Sequence, residues 1–366
     1  MPLSIWVHAL RSRKCPPDDL GEDPFGAPRN LVGDLTPEFH KQIVVCEEQD
    51  RHVLMEQNKS VSKTPLVSIG VTVYNASEFL EETLESLLSQ DYPNIELVIS
   101  DNASTDGSSE LCKKLANQES RIRYHRNPEN LGSVVNWNQA LELSSGVYFM
   151  WASDHDLFSQ DYISRSVDVL KSDEDCTLVY SRAQEIDRDG NHLETLPPNI
   201  DTTGIGQLER FRKVLWGLGR CTMVHGVQRT RNIKALGGFP NSWAMDLALV
   251  PALSLLGTFH QLDAPLFLRR QNRPNGKARA DFAAHHLDPS KATIREKYDR
   301  TARYTETREA LLSLLDKIQL NPITKLQLRA MVYSCYWSRW SVGLGGIEHL
   351  VRRLPKAFRR PSFLRP

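Results

Sequence analysis

The chain has 366 residues, enough for one large domain or two with a substantial core, and its 40% hydrophobic and 25% charged content is ordinary for a globular protein. Lys and Arg total 45 and Asp and Glu total 45, so formal net charge is zero and no global field favours nucleic acid or another polyanion. Residues 1–20 lack the uninterrupted apolar core of a signal peptide, and no stretch is long and charge-free enough to span a bilayer. The cysteines include no Cys-x-x-Cys pair, which argues against a zinc site or a disulfide framework and for reduced thiols in a cytoplasmic protein.

Residues 1–63 carry Pro, Asp and Lys without sustained periodicity and read as an N-terminal extension. Leu66 to Val73 is a short β-rich apolar run, as expected of a strand buried on both faces. Asn75 with Glu78 three residues on has the form of a capping box, and Leu80, Leu84, Leu87 and Leu88 then repeat at helical spacing. The alternation continues with a strand at 95–100, a helix over about 108–117, a strand at 121–124, a helix through 136–141 and a strand over 146–152. A helix at about 160–172 and a strand at 177–181 follow, with a hairpin-type turn at Asp189-Gly190. Strand–helix alternation with short connections predicts a parallel, doubly wound sheet. Residues 191–275 look less regular, broken at Gly237-Gly238-Phe239-Pro240, and residues 291–345 look helical.

The most informative residues are Asp154-His155-Asp156, where the apolar strand Val147 to Trp151 runs out. Alternate residues of an extended backbone share a face, so both carboxylates can point one way. At the carboxyl edge of a parallel sheet they meet the ligand crevice, where two hard oxygen ligands suit Mg²⁺ or Mn²⁺ holding a diphosphate. An isolated Asp-x-Asp is more often just the tip of a solvated turn. Three successive carboxyl-end tips are polar here, at 72–75, 101–106 and 153–156, and Asp101 ends its strand as Asp154 ends another. A carboxylate in such a crevice can accept a ribose diol or a base N–H.

Val67-Ser68-Ile69-Gly70-Val71-Thr72-Val73-Tyr74-Asn75-Ala76, Leu84-x-Ser86-Leu87-Leu88-x-Gln90 and Glu96-Leu97-Val98-Ile99-Ser100-Asp101-Asn102-Ala103-Ser104-Thr105-Asp106-Gly107 resemble the family 2 glycosyltransferases. Asn130-Leu131-Gly132, Asn138-Gln139-Ala140, Gly146-x-Tyr148 and the Asp154–Asp156 pair continue the pattern in the same order. The resemblance implies a GT-A fold over 64–275, an α/β architecture with a Rossmann-like doubly wound mixed sheet and helices on both faces. Residues 64–157 would form its nucleotide-binding half and 158–275 its acceptor half, ahead of a helical C-terminal region at 276–366. It also implies a nucleotide-diphosphate-sugar donor, Mn²⁺ or Mg²⁺, and inverting transfer to a saccharide, a lipid-linked saccharide or another hydroxyl acceptor, in cell-surface polysaccharide or glycoconjugate synthesis. Carried over by position, Thr72 and Asn75 fall in the first donor loop, and Asp101 with Asn102 on the nucleobase side. Asp154 falls on the ribose and metal side, and Asp156 on the metal, a role that His155's position takes in some members.

Leu236-Gly237-Gly238-Phe239 followed by Trp243-Ala244-Met245-Asp246 resembles the family's Gly-Gly-Phe…Glu-Asp element, in which the matching Asp is the general base. Met245 stands where Glu is commoner. A carboxylate beside Trp243 and Met245 is partly desolvated, which raises its pKa toward use as a base, although Asp246 could equally be a helix N-cap. The family's terminal Arg-x-His is absent from Phe267-Leu268-Arg269-Arg270-Gln271, leaving Arg269 or Arg270 to neutralise a departing diphosphate. His225, His260, His285 and His286 read as ordinary surface or core histidines. Residues 351–366 hold six Arg or Lys and no acid, with aromatic and Leu residues interleaved, the pattern of a segment drawn to anionic lipid at the inner membrane face. The competing reading is a non-catalytic nucleotide-sugar or carbohydrate-binding protein on the same fold. A dehydrogenase is excluded because Tyr74-Asn75-Ala76-Ser77 is not Gly-x-Gly-x-x-Gly.

Overall fold

The computed structural model describes residues 64–197, 200–219, 221–271 and 300–343, with side chains in the last segment over 303–338. The N-terminal extension and the basic tail lie outside the described residues. The first strand is β1 (Val67–Val73), followed by α1 (Leu80–Leu88), β2 (Ile95–Asp101), α2 (Ser108–Gln118), β3 (Ile122–Arg126), α3 (Ser133–Glu142) and β4 (Tyr148–Ala152). These four strands are parallel, in the order β3-β2-β1-β4. Every residue of β1, β2 and β4 is buried, which is why they read as continuous apolar runs and not as alternating ones.

The parallel run read from the strand–helix alternation ends at β4, and the sheet then becomes mixed, as the resemblance implies. Next come β5 (Leu157–Phe158), α4 (Tyr162–Ser172), β6 (Cys176–Ile186), β7 (His192–Thr195), α5 (Gln207–Gly217), β8 (Val227–Arg229), α6 (Thr230–Leu236), α7 (Met245–Leu253) and β9 (Thr258–Arg270). The sheet continues β4-β8-β6-β9-β5, with β8 antiparallel to both neighbours, β6 parallel to β9, β5 antiparallel to β9, and β7 paired with β6. The result is a mixed sheet, and the region expected to be irregular holds three of its strands. Its strands escape periodicity for visible reasons. β8 is only three residues long, and β9 contains His260, Gln261, Asp263 and Pro265 and slips register against β6 between Ser181 and Ala183.

Period-two alternation in β4 divides the core. Tyr148, Met150 and Ala152 join the cluster under α1, α2 and α4, whereas Phe149 and Trp151 face the opposite cluster with α5 and α7. That second cluster also takes Leu311, Leu315 and Ile318 of α8 (Arg300–Lys317) and Leu328, Val332 and Cys335 of α9 (Pro322–Gly343). The C-terminal helices therefore bury their apolar faces on the same core as the sheet. Among the described residues no helix is long and apolar enough to cross a membrane. Cys112, Cys176, Cys221 and Cys335 are all thiols.

The edge opposite the candidate site is latched by Glu96, whose Oε1 accepts from Ser68 Oγ at 2.5 Å and from Ser145 N–H at 2.8 Å. Ser68 Oγ accepts in turn from Gly146 N–H at 2.7 Å. A Cβ on Gly146 would stand 2.7 Å from both the Ser68 amide nitrogen and the Tyr148 carbonyl oxygen, backbone atoms that cannot rotate away. Gly146→Ala is expected to lower stability by about 1–3 kcal/mol through this overlap, read as the shift in thermal unfolding. An unchanged midpoint would show that the latch yields freely.

Candidate active site at the carboxyl edge

Register aligns the strand ends that the site needs. Val73 pairs with Asp101, Asp101 with Arg126, and Val71 with Ala152, so the tips after β1, β2 and β4 share one edge. Asn75 sits at the first tip with φ +49°, a left-handed conformation that Asn tolerates better than most residues. The proposed capping box does not form. α1 begins at Leu80 after Phe79, with no side-chain cap, and Glu78 instead meets Arg188. Asn75 serves the neighbouring loop, its Oδ1 accepting from Thr105 N–H at 2.8 Å while its own N–H donates to Ser104 Oγ at 3.0 Å. Thr72 is buried within β1, opposite Ser100.

Asp101 is engaged by its own loop. It is fully buried, with Oδ1 accepting from Ser104 N–H at 2.9 Å and Oδ2 accepting from Tyr124 OH at 2.7 Å and from Ser109 Oγ. Burial alone would raise its pKa, but these donors outweigh it and hold the carboxyl below its ordinary value. In this structure the carboxylate organises the 102–109 loop and does not present itself to the crevice. Asn102 is likewise taken up internally. Its amide donates to Asn130 Oδ1 at 2.7 Å and accepts from Asn127 Nδ2 at 3.1 Å and Leu131 N–H at 2.9 Å.

The acidic pair does gather beside this loop. Asp154 Oδ2 accepts from Tyr74 N–H at 3.4 Å, and Asp156 Oδ1 accepts from Arg270 N–H at 2.8 Å. Between them His155 reaches Asp154 Oδ1 with Nδ1 at 2.8 Å and lies 3.8 Å from Asp156 Oδ1 with Nε2. Burial would depress this imidazole, yet the two carboxylates raise its pKa to about 9, so it is cationic at neutral pH. Asp154 and Asp156 are the hard oxygen ligands that this corner could offer a divalent cation. Among the described residues no cluster of three or more His, Cys, Asp or Glu could hold a metal by itself.

The two arginines separate. Arg270, expected to be available to a diphosphate, has a side chain only 1% exposed and is committed internally. It donates to the carbonyls of His155 at 3.0 Å and Arg188 at 2.7 Å and to Glu82 Oε2 at 2.6 Å, with Phe79 packed 4.6 Å from the guanidinium. Its neighbour Arg269, paired with Glu185 at 3.0 Å, lines a cavity of about 340 Å³ together with Ser153, Cys221, His225, Trp243 and Asp246.

That cavity has an aromatic floor. Trp151 packs on Phe239 at 4.3 Å between centroids, and Trp137 meets Phe239 edge-on at 5.7 Å. Asn138 fixes the Gly-Gly-Phe loop above it, donating to Phe239 O at 2.9 Å and accepting from Phe239 N–H at 2.8 Å. Asp246 sits in the first turn of α7, half-buried, and burial raises its pKa above the ordinary carboxylate value. It is not the N-cap, a position held by Ala244. Cys221 lies against Asp246, and burial raises its thiol pKa well above the usual value. His225, which sequence reasoning set aside, belongs to this cavity. Its Nδ1 meets Trp151 O at 3.1 Å, and burial lowers its pKa, favouring the neutral ring. Nothing in spacing distinguishes it, because it enters from a short 3₁₀ turn at Thr222–His225.

Residues 68–234 match the family model described as Glycosyl transferase family 2. An uncharacterized glycosyltransferase of Rickettsia bellii (strain RML369-C) is 29% identical over 171 residues, 45% of this chain and 24% of the relative. TuaG of Bacillus subtilis (strain 168), a glycosyltransferase assigned provisionally to teichuronic acid biosynthesis, is 29% identical over 130 residues, 36% of this chain and 51% of TuaG. The chain thus spans between a quarter and a half of the length of these relatives. The crystal structure of S. aureus TarS 1-349 in complex with UDP-GlcNAc superposes with TM-score 0.56 and 18% identity, covering 74% of this chain and 72% of that one. The fold is that of the GT-A glycosyltransferases. Residues 68–234 are thus similar to glycosyl transferase family 2, over a little less than half of the chain.

Asp101→Asn is expected to lower stability at neutral pH by about 1.5–3 kcal/mol, the usual worth of a hydrogen bond to a charged group. The folded carboxyl titrates below its unfolded value of about 3.9, so its stabilisation is present above that pH and fades as pH falls through the folded value. The wild type should therefore lose stability in acid more steeply than the variant. Parallel curves of stability against pH would reject this role.

Proposed function

We propose that the protein transfers a sugar from a nucleotide-diphosphate sugar to an acceptor hydroxyl by a single, inverting displacement. The observation that carries this reading is a cavity holding Asp246 and Arg269 that reaches Ser153, the residue immediately before the Asp154–Asp156 corner. The donor would lie along the tips after β1, β2 and β4, with Asn75 and the loop ordered by Asp101 and Asn102 against the nucleoside. Mn²⁺ or Mg²⁺ held by Asp156 and Asp154 would supply Lewis-acid stabilisation of the diphosphate. Arg269 would meet the charge that grows on the leaving diphosphate, while Arg270 holds the acidic loop in position. Asp246 would take the proton from the acceptor hydroxyl as that oxygen attacks the anomeric carbon. Its raised pKa makes it a stronger base than an exposed carboxylate, and removes activity below that pKa, where it is protonated.

Support for the donor class comes from TarS, which was crystallised with UDP-GlcNAc. An acceptor in a cell-surface polysaccharide or glycoconjugate is favoured by the similarity to TuaG. Peripheral contact with anionic lipid is proposed from the composition of residues 351–366 alone. The full chain should then co-sediment with anionic vesicles and a chain ending at Gly346 should not; equal binding rejects the tail's role.

Thermal unfolding with UDP, GDP and TDP, each with Mn²⁺, tests the donor site directly. At least one nucleotide should raise the midpoint, EDTA should remove the effect, and Asp156→Ala should abolish it. Asp246→Asn should keep the nucleotide shift but reduce turnover, including slow donor hydrolysis, by about 10²–10⁴-fold. Identical melting with every nucleotide overturns the reading. A nucleotide shift with no hydrolysis or transfer identifies a binding protein instead.

A further inference from the structure

A second cavity, of about 500 Å³, opens between α8 and α9 and is lined by Tyr304, Thr305, Arg308, Tyr333, Ser334, Tyr336 and Trp337. Tyr304 and Arg308 are four residues apart on one helix, and Tyr333 and Trp337 four apart on the other, so each helix contributes one row on one face. Tyr333 is 49% exposed and Trp337 64%. The apolar side of α9 is already committed, through Leu328, Val332 and Cys335, to the main core. Tyr333 and Trp337 therefore stand at the surface, beside Tyr336, which is buried on the core, and Tyr304, which packs against it. The Arg308 guanidinium lies 5.0 Å from the Tyr333 ring centroid, and Tyr304 meets Tyr336 edge-on at 6.5 Å.

We propose that this groove is a saccharide-binding subsite continuing the acceptor cavity, an inference that rests on the glycosyltransferase reading. A pyranose has C–H faces that stack on aromatic rings and a rim of hydroxyls that exchange hydrogen bonds with Ser, Thr and Arg. The groove supplies both kinds of partner at once. A polyanion is poorly served by a lining with one guanidinium. Continuity with the candidate active site comes from two adjacent residues. Arg303 lies 4.4 Å over the ring of Trp243, and Tyr304 beside it lines the groove. Trp243 in turn lines the Asp246 cavity and is 49% exposed. Trp243, Arg303 and Tyr304 form a track from the proposed base to the rings between the helices. An acceptor of several sugar residues would present its reacting hydroxyl at Asp246 and lay the residues behind it along this track.

Saturation-transfer NMR on the full chain, with chitohexaose and maltohexaose as neutral probes, tests the groove without needing the natural acceptor. At least one probe should bind with a dissociation constant on the order of 1 mM, about 4 kcal/mol of affinity. Trp337→Ala and Tyr333→Ala should each weaken it about tenfold or more. Unchanged unfolding midpoints certify that the exposed-ring variants fold, and an unchanged nucleotide shift in them shows that the donor site is independent. Binding of neither probe, or equal binding by wild type and both ring variants, overturns the proposal while leaving the donor reading standing. A missing nucleotide shift alongside intact probe binding instead removes the transferase reading and leaves a carbohydrate site. Loss of vesicle co-sedimentation or of self-association in Trp337→Ala, with probe binding unaffected, assigns the face to lipid or to a second copy and overturns the saccharide assignment.

Discussion

A buried guanidinium must find acceptors for its donors or cost several kcal/mol, and at Arg270 that constraint organises the candidate site. The residue ends β9, and through it the last strand of the sheet is tied to the acidic corner, to the β6–β7 hairpin and to α1. Its backbone N–H fixes Asp156 and its side chain fixes the His155 carbonyl. The loop that would grip a diphosphate is therefore held by the structure before any ligand arrives. That pre-organisation separates two adjacent arginines into different tasks, one structural and one facing the cavity.

The reversal of strand direction after β4 gives the site its second wall. A purely parallel sheet would continue the nucleotide-type edge. Here β8 runs antiparallel between β4 and β6, and the chain approaching it carries Cys221 and His225 beside Trp151. The Gly-Gly-Phe loop then returns across the aromatic floor, clamped by the Asn138 amide, and α7 delivers Asp246. The proposed base thus comes from a different part of the fold than the acidic corner, and packing brings it into a cavity that reaches Ser153, the residue before that corner.

The C-terminal helices contribute more than apolar cover. Lys317 at the end of α8 donates to the carbonyl of Leu236 at 2.5 Å, satisfying the end of α6 ahead of the Gly-Gly-Phe loop. Arg303 near the start of α8 packs on Trp243 at the cavity mouth. The same helix thereby touches both ends of the segment that carries the proposed acceptor site, which gives the groove between α8 and α9 a direct physical link to it.

The sequence by itself determined the parallel β1–β4 half of the architecture. Continuous apolar runs, leucines at helical spacing and Asp residues at strand ends are local signals, and strands buried on both faces leave them undisturbed. It also singled out Asp154, Asp156 and Asp246 as candidate carboxylates. Only the tertiary structure decided which polar groups are consumed internally. Asp101, Asn102 and Arg270 look like ligand contacts in one dimension, but each is satisfied by partners at least 23 residues away in the chain, namely Tyr124, Asn127 and Glu82. Hydrogen-bond satisfaction and desolvation are properties of the packed neighbourhood. No local pattern could reveal that His225 enters the cavity, that β9 forms despite its proline, or that Trp243 and Tyr304 belong to one surface.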